Sequence, residues 1–306
     1  MILSIRMMLT LMLLGTLCSV SPGQVEGQDE VVAKVGQWEI TQKRVDRHLK
    51  NTIGNRELAA EQLAKARKVA LDHLVSRQVV FEFVKKSCPV PDSEVTSELS
   101  ILETNLAKVD QKLEDHLKKT SLSLEELKQE IRWRVSWQTY LNKKITEEAI
   151  ATYFKRNRRI FDGTEMRVAH LVIDKQDDAK QQTQKAAELQ KQIGAGKMSW
   201  ADAVNANSIA TSSKDKAGEI GWIRYREPMP DVFSNAAFKL DQGQISPPVE
   251  TAIGIHLIKC LEIKPGKIGA EDVRDELRAH MTRFLFDRIA TQRRDEVEVV
   301  YPAAKK

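Results

Sequence analysis

Apolar residues recur along the chain with two different spacings, and the change of spacing divides the sequence into three segments. Up to residue 163 most apolar positions lie three or four residues apart, which predicts amphipathic helices after a short strand and turn at residues 31–40. Residues 166–263 combine short alternating runs with glycine turns, which predicts strands mixed with helices. After Pro265 the helical spacing returns before a final alternating run, VEVVY. The pattern therefore predicts an α+β segment between two mostly helical ones.

Local signals predict where several helices begin. Thr41 is expected to be an N-cap, and Ser123 with Glu126 three residues later forms the sequence of a capping box. After a proline-rich break, Asp92 is expected to cap a helix whose apolar stripe continues from residue 95 to residue 113. These signals predict several separate helices ahead of the α+β segment.

Composition and charge exclude several classes of protein. The 306 residues are 42% apolar and 30% charged, which excludes a wholly disordered chain, and 14 Gly with 9 Pro exclude a collagen-like one. The net charge is +5, but residues 165–263 carry 12 basic and 13 acidic side chains, whereas residues 29–164 carry 25 and 21. The excess therefore belongs to the helical segments. A nucleic-acid partner is not expected, because the sequence has no concentrated basic stripe with interleaved aromatic residues.

The N-terminus has the order of regions found in secretory signal peptides. One positive charge, Arg6, precedes an apolar run at residues 7–17 and then small and turn-forming residues, so residues 1–27 are predicted to be a signal peptide and the protein to be exported. Leu17, rather than a small residue, precedes Cys18, which argues against a lipid anchor there. No later stretch has the roughly 20 apolar residues of a membrane-spanning helix, so no integral span is expected after signal removal.

The reactive side chains give little direct indication of chemistry. Cys88 and Cys260 remain after signal removal, either as two thiols, the simpler expectation, or as one disulfide. His170 in VAHLVI and His256 in GIHLIK lie in predicted strands, where a lone histidine is more often structural than catalytic. Neither lies in a nucleophile motif, and no cluster has metal-ligand spacing, so no metal and no cofactor are expected. Residue by residue, the sequence supports an α+β domain with two buried histidines.

The order of motifs in the central segment is more specific than any one motif. The motifs are, in chain order, RVAHLVI at 167–173, Gly196, SWA at 199–201, Ala203, Asn207-Ser208, GEIGW at 218–222, Met229, Phe233, Ala237-Phe238, GQISPPV at 243–249 and TAIGIHLIK at 251–259. Taken together, residues 166–263 resemble the parvulin family of peptidyl-prolyl isomerases over the whole length of the domain. The resemblance implies a four-stranded antiparallel sheet surrounded by helices.

The resemblance also implies roles for particular residues. His170 and His256 are the expected catalytic pair, hydrogen-bonded through the sheet at the floor of the site, and Thr251 is expected to add a catalytic hydroxyl beside them. The implied activity is peptidyl-prolyl cis-trans isomerisation, in which rotation about an X-Pro bond is accelerated without a covalent step or a cofactor. The apolar cup for the proline ring is expected to consist of Ile220, Met229 and Phe233.

Two positions depart from the pattern of the family. Ala210 stands where an acidic or thiol side chain is usual, two residues after Ser208, and Asn207 stands where tyrosine is common. If the missing polar side chain helps to weaken the amide, activity is reduced, and a parvulin fold that only binds peptides becomes the alternative. The segment at 174–178 also lacks an arginine cluster, which argues against selection of phosphorylated substrates.

The helical flanks resemble, more loosely, the chaperone part of exported parvulin proteins of the SurA and PrsA type. This implies a helical chaperone-like domain at 29–163, an isomerase domain at 164–264, and a C-terminal helix and strand at 265–306 that complete the helical part. The strands at 31–35 and 297–301 are then expected to pair, and the positive charge of this part to favour acidic clients.

The sequence thus predicts a periplasmic or otherwise extracytoplasmic foldase. Its expected partners are unfolded or partly folded exported proteins that contain X-Pro bonds. The alternatives are a non-catalytic holdase chaperone with a degenerate parvulin domain and a scaffold protein of the cell envelope.

Overall fold

The computed structural model describes residues 29–54, 56–175 and 178–302. The predicted signal peptide, including Cys18, lies outside the described residues. The helices are α1 (Gln42–Ile53), α2 (Ala60–Ser87), α3 (Asp92–Ala107), α4 (Leu113–Thr120), α5 (Leu124–Lys144), α6 (Glu147–Arg156), α7 (Arg158–Phe161), α8 (Ala179–Gly194), α9 (Trp200–Asn207), α10 (Thr211–Lys214), α11 (Asp231–Ala237) and α12 (Arg274–Gln292). The strands are β1 (Val31–Val35), β2 (Trp38–Thr41), β3 (Glu165–Ile173), β4 (Glu219–Ile223), β5 (Val249–Glu250), β6 (Ile255–Lys264) and β7 (Val299–Val300).

The chain forms two compact units, and the first contains both ends of the described chain. It comprises residues up to Val80 together with those from Arg293 onward. Its sheet has the order β2-β1-β7, and Lys34 of β1 lies opposite Val300 of β7 in an antiparallel ladder. The predicted pairing of the terminal strands is therefore confirmed. Thr41 is also confirmed as an N-cap, because its hydroxyl accepts a hydrogen bond from the Arg44 amide.

The second unit runs from Phe81 to Gln292 and begins with helices. The capping box is confirmed: the Ser123 hydroxyl accepts from the Glu126 amide, and the Glu126 carboxylate accepts from the Ser123 amide. Asp92 is not a cap, because it is the first helical residue and Pro91 occupies the N-cap position without a side-chain hydrogen bond. That prediction was wrong because an acidic residue in the first turn has the same sequence appearance as a cap and is favoured there by the helix dipole.

The apolar stripe from residue 95 to residue 113 does not form one helix. Helix α3 ends at Ala107, Asp110 has a φ of 54°, and α4 begins at Leu113. Val109 continues the helical spacing but is 63% exposed, so its place in the stripe does not reflect burial. The prediction failed because the chain turns between two helices, and packing against α5 rather than local spacing keeps Val95 buried beside Leu127.

A four-stranded sheet forms the centre of the second unit. Its order is β4-β3-β6-β5. Every neighbouring pair is antiparallel, so the four-stranded antiparallel sheet that the resemblance implied is confirmed. Successive residues of a strand point to opposite faces. Helices α8 and α9 pack on the face that contains Leu171 and Leu257, whereas α11 packs on the face that contains Val168 and Ile258.

Two glycines allow loops to approach β3 closely. Gly218 has a φ of 78°, and a Cβ placed on it would lie 2.2 Å from the carbonyl oxygen of His170. A Cβ on Gly254 would lie 2.6 Å from the carbonyl oxygen of Ile173. Only a residue without a side chain fits at such distances, so these glycines bring the loops before β4 and β6 against the strand that carries His170.

The chain enters and leaves the sheet region at a single point. The Thr164 amide and hydroxyl donate to the buried Asp162 carboxylate at 2.9 and 2.6 Å, and the Gly266 amide donates to the Thr164 hydroxyl at 3.1 Å. A Cβ on Gly266 would lie 1.8 Å from the Asp162 carbonyl oxygen, which accepts from the Ile268 amide at 3.0 Å. The two passages of the chain are therefore in direct contact.

Cys88 and Cys260 are both buried and free, so the expectation of two thiols is confirmed. Within residues 29–54, 56–175 and 178–302, no helix is both long enough and apolar enough to cross a membrane.

Candidate active site

Strands β3 and β6 bring the two predicted histidines together. In the antiparallel register His170 lies opposite Ile258 and Val172 lies opposite His256, so the histidines are diagonal neighbours on one face. Their ring centroids are 5.4 Å apart with the planes tilted by 43°. His170 is 8% exposed and His256 is 1% exposed. Two titratable rings thus lie side by side and are almost completely shielded from solvent.

An apolar wall stands beside the histidine rings. Phe233 of α11 is fully buried and meets both rings edge to face, with centroids 6.2 Å from His170 and 5.6 Å from His256. Met229 and Ile220 are half-buried and pack against the cluster to which Phe233 belongs. The structure therefore places all three residues predicted for the proline cup in one cluster.

Hydroxyl groups hold both histidine rings. The Thr251 Oγ1 lies 2.8 Å from His256 Nε2, and the Ser213 Oγ lies 3.4 Å from His170 Nε2. Within the part of the chain that the structure describes, the Nδ1 atoms of both rings are buried without a hydrogen-bond partner. The hydrogen bonds of the paired histidines thus go to hydroxyls and not to one another.

Ser213 was not predicted from the sequence. It follows Thr211 and Ser212 in a run of small polar residues directly after Ala210. That run is the only signal in the sequence, and it does not distinguish the three hydroxyls. The fold does, because Ser213 is 4% exposed in α10 whereas Thr211 and Ser212 face solvent.

Burial makes both histidines weak bases. It lowers the pKa of His170, and burial together with the neighbouring His170 ring lowers the pKa of His256 to about 4. Taking an imidazolium out of water is unfavourable, and a second cation beside it adds repulsion. Both rings are therefore neutral at pH 7, and the site has no formal charge on its floor.

The two positions that depart from the family pattern lie at the edge of this site. Ala210 is half-buried and offers only a methyl group, and Asn207 turns its amide back to the Ala203 carbonyl at 3.1 Å. The Ser208 hydroxyl accepts from the amides of Val172 and Ala210 at 3.2 and 3.3 Å. The segment is therefore anchored to β3 by Ser208, while no side chain at 207 or 210 contacts the histidines through a hydrogen bond.

The remaining surroundings show no second cluster of reactive groups. Among the residues that the structure describes, no group of three or more His, Cys, Asp or Glu side chains is arranged to hold a metal ion. Beyond β3, Lys175 forms an ion pair with Glu250 at 2.8 Å. A separate open groove of about 460 Å³ lies at the other end of β4, lined by Glu165, Trp222, Ile223, Arg224, Glu227 and Pro228.

Comparison with known proteins agrees with this geometry. Residues 167–262 match the rotamase family described as the PPIC-type PPIASE domain. The matched segment contains both histidines, Thr251 and the three residues predicted for the proline cup. The fold, the paired histidines and the match define a parvulin-type peptidyl-prolyl isomerase domain.

Outside the matched domain as well, the chain is similar to proteins that are named foldases. The chain is 26% identical over 264 residues to foldase protein PrsA 2 of Bacillus cereus, covering 85% of this chain and 78% of the relative. It is 28% identical over 257 residues to foldase protein PrsA of Bacillus subtilis, covering 83% and 75%. A solved structure of peptidylprolyl isomerase PrsA from Bacillus anthracis aligns with 21% identity and a TM-score of 0.36, covering 74% of this chain and 96% of that one. The chain thus contains a parvulin-type domain and is similar, over most of its length, to PrsA foldases.

Proposed function

We propose that this protein is a peptidyl-prolyl cis-trans isomerase and chaperone that assists the folding of exported proteins. The observation that carries the proposal is the contact of Phe233 with two buried, neutral histidine rings, beside Met229 and Ile220. This arrangement forms an apolar receptor with a polar but uncharged floor. A proline ring fits the apolar part, and the amide bond before it then lies near the histidines and Thr251.

Such a site lowers the barrier to rotation without forming a bond to the substrate. Rotation about an X-Pro bond is opposed by amide resonance, with a barrier of roughly 18–20 kcal/mol. Resonance gives the planar amide a large dipole, which water stabilises. Transfer from water to a dry pocket removes more of this stabilisation from the planar form than from the twisted form, in which resonance is lost and the dipole is smaller. His170, His256 and Thr251 therefore act by orienting the amide and supplying fixed dipoles.

The helical part supplies the proposed chaperone function. Trp133 stacks on Trp137 with centroids 5.6 Å apart, and both indoles are half-buried on α5 beside Phe286. The exposed parts of the two indoles form an apolar surface, which we propose contacts apolar segments of unfolded chains. The excess of basic residues outside the isomerase segment favours acidic clients. We assign residues 29–163 and 265–306 to this part and 164–264 to the isomerase, and we place the protein outside the cytoplasm.

Isomerase activity is tested on the full chain with a tetrapeptide that contains one X-Pro bond. Exchange between its cis and trans forms is measured by NMR. We expect acceleration by the wild type and a loss of about tenfold in kcat/KM for Met229→Ala, which removes the flexible wall of the cup. Met198→Ala is the matched control, because Met198 is also half-buried but packs on the opposite face of the sheet. No acceleration, or equal acceleration by wild type and Met229→Ala, contradicts the proposal.

The second candidate function is a non-catalytic holdase, and the observation that favours it is the methyl group at Ala210. In that case the wild type binds the proline peptide, binding weakens in Met229→Ala, and exchange is not accelerated. Suppression of client aggregation by a chain that lacks residues 164–264 would place the chaperone function in the helical part. Failure of that shortened chain would instead favour a scaffold role.

A further inference from the structure

Ser213 is a buried polar residue that the proposed mechanism does not use. Its hydroxyl lies 3.4 Å from His170 Nε2 and 3.4 Å from the Ala210 carbonyl oxygen, to which it donates. The Gly218 amide donates to the Ser213 carbonyl at 2.8 Å, and the His170 amide donates to the Gly218 carbonyl at 2.8 Å. Ser213 is therefore tied through Gly218 to the backbone of the residue whose side chain it contacts.

The hydrogen bonds of Ser213 determine which nitrogen of His170 carries the proton. A hydroxyl has one proton, and a carbonyl oxygen can only accept. When Ser213 donates to the Ala210 carbonyl, its oxygen accepts from His170, so the proton of the neutral ring is on Nε2. The other tautomer would leave a buried N–H at Nδ1 without an acceptor, and orphaned buried N–H groups are rarer than unpaired acceptors.

The second histidine has the same arrangement. Thr251 Oγ1 accepts from the Ile253 amide at 3.2 Å and donates to the Gly254 carbonyl at 3.3 Å, so it accepts from His256 Nε2 at 2.8 Å. Each neutral ring thus donates from Nε2 to a hydroxyl whose own proton is held by a backbone carbonyl. Both rings keep an unprotonated Nδ1 in the buried site.

We propose that Ser213 is a positioning residue, which supplies to His170 the hydrogen-bonding side chain that Ala210 cannot supply and holds the ring in its Nε2–H tautomer. The hydroxyl comes from the first turn of α10, three residues after the alanine. A site that is altered at position 210 thereby keeps a polar partner for His170. The catalytic meaning of this role rests on the proposed isomerase function, whereas the tautomer itself does not.

The tautomer is measured directly on the full chain. The six histidines are labelled with ¹⁵N, and the signals of His170 are assigned with His170→Gln. In the wild type we expect a protonated Nε2 and an unprotonated Nδ1, and in Ser213→Ala a mixture of both tautomers. The matched control is Ser212→Ala, because Ser212 is the exposed neighbour of Ser213 in α10. In the peptide exchange assay, kcat/KM is expected to fall about fivefold in Ser213→Ala, the factor for one lost hydrogen bond, and to stay unchanged in Ser212→Ala.

Two results overturn the positioning role. One is a wild type in which His170 carries its proton on Nδ1. The other is an unchanged set of His170 nitrogen shifts in folded Ser213→Ala. A different result is a wild type that lacks isomerase activity while its His170 tautomer still depends on Ser213. That result contradicts the proposed function and supports the positioning role, so the two failures are distinguishable.

Discussion

The two faces of the four-stranded sheet are built from the same strands and differ in almost everything else. On one face Leu171 and Leu257 pack with α8 and α9 in a cluster of apolar side chains. On the other face the neighbouring residues, His170 and His256, meet Phe233 of the short helix α11. One residue step along β3 or β6 thus separates a hydrocarbon core from a site with buried nitrogen atoms.

The difference shows how the site tolerates its unpaired polar atoms. A buried acceptor without a partner costs stability, roughly 1–3 kcal/mol for each group. The apolar face holds β3 and β6 in register, so their backbones do not move to relieve that cost. The histidines therefore keep their positions because of packing on the opposite face of the sheet, in which they take no part.

The largest expected difference between the two faces is in isomerase activity, and it is tested by truncating one buried side chain on each face. Phe233→Ala and Leu257→Ala both remove a fully buried side chain and are expected to lower the free energy of unfolding by about 3–5 and 2–5 kcal/mol. Only Phe233→Ala is expected to abolish isomerisation by the folded fraction. The two variants are compared by urea unfolding and by peptide exchange at a concentration of folded protein that is matched between them. Equal loss of activity in both would show that the faces are not functionally distinct.

A smaller effect is expected on the free energy of unfolding when the pH is lowered. Of the two faces, only the one with the histidines contributes to this pH dependence. The pKa of His256 is about 4 in the folded protein, below the roughly 6.5 of an unfolded chain, so the unfolded state binds more protons between these values. The stability that this ring contributes is complete above about pH 6.5 and is lost as the pH falls towards 4. His170 shifts in the same direction because of its burial.

The expected loss from His256 between pH 7.5 and 4.5 is about 2–3 kcal/mol. Urea unfolding at both pH values measures it, and His256→Gln should reduce the pH dependence by that amount. Leu257→Ala serves as the reference, because a change on the apolar face should lower stability equally at both pH values. A His256→Gln protein with the pH dependence of the wild type would refute the assignment.

The smallest expected effect is a difference in stability between two glycine variants. It distinguishes the cost of a steric contact from the cost of a positive φ. Gly218 and Gly221 have φ values of 78° and 86°, but only at Gly218 would a Cβ meet another atom, the His170 carbonyl oxygen. Gly221→Ala is expected to cost about 1 kcal/mol and Gly218→Ala about 2 kcal/mol or more. Gly218→Ala should also lower kcat/KM, because it displaces β3 at His170. Equal unfolding midpoints for the two variants would contradict the contact.

Much of the site could be predicted because its residues lie in strands and in ordered motifs. The alternation around His170 and His256 indicated buried strand positions, and the resemblance implied a four-stranded antiparallel sheet but not the order of its strands. The antiparallel register then brings the two histidines together on one face. The apolar cup was predicted from the order of motifs and not from any property of Met229 or Phe233 alone.

The parts that could not be predicted depend on contacts between distant residues. Nothing local distinguishes Ser213 from Ser212, because only the path of α10 past β3 decides which hydroxyl meets His170. The break at Asp110 was missed for a related reason. Apolar residues on both sides of the turn at Asp110 keep helical spacing by chance, and residues of both α3 and α4 pack beside α5, so the spacing continues where the helix does not.

The contact between Asp162, Thr164 and Gly266 has a consequence for the descent of such proteins. Because the chain arrives at the sheet region and departs from it at adjacent residues, a short replacement of the segment between them would connect α7 to α12 without rerouting either helix. Loss, duplication or exchange of the whole segment then requires only one short junction in the chain. The segment that contains the paired histidines can therefore be gained or lost in evolution as one piece.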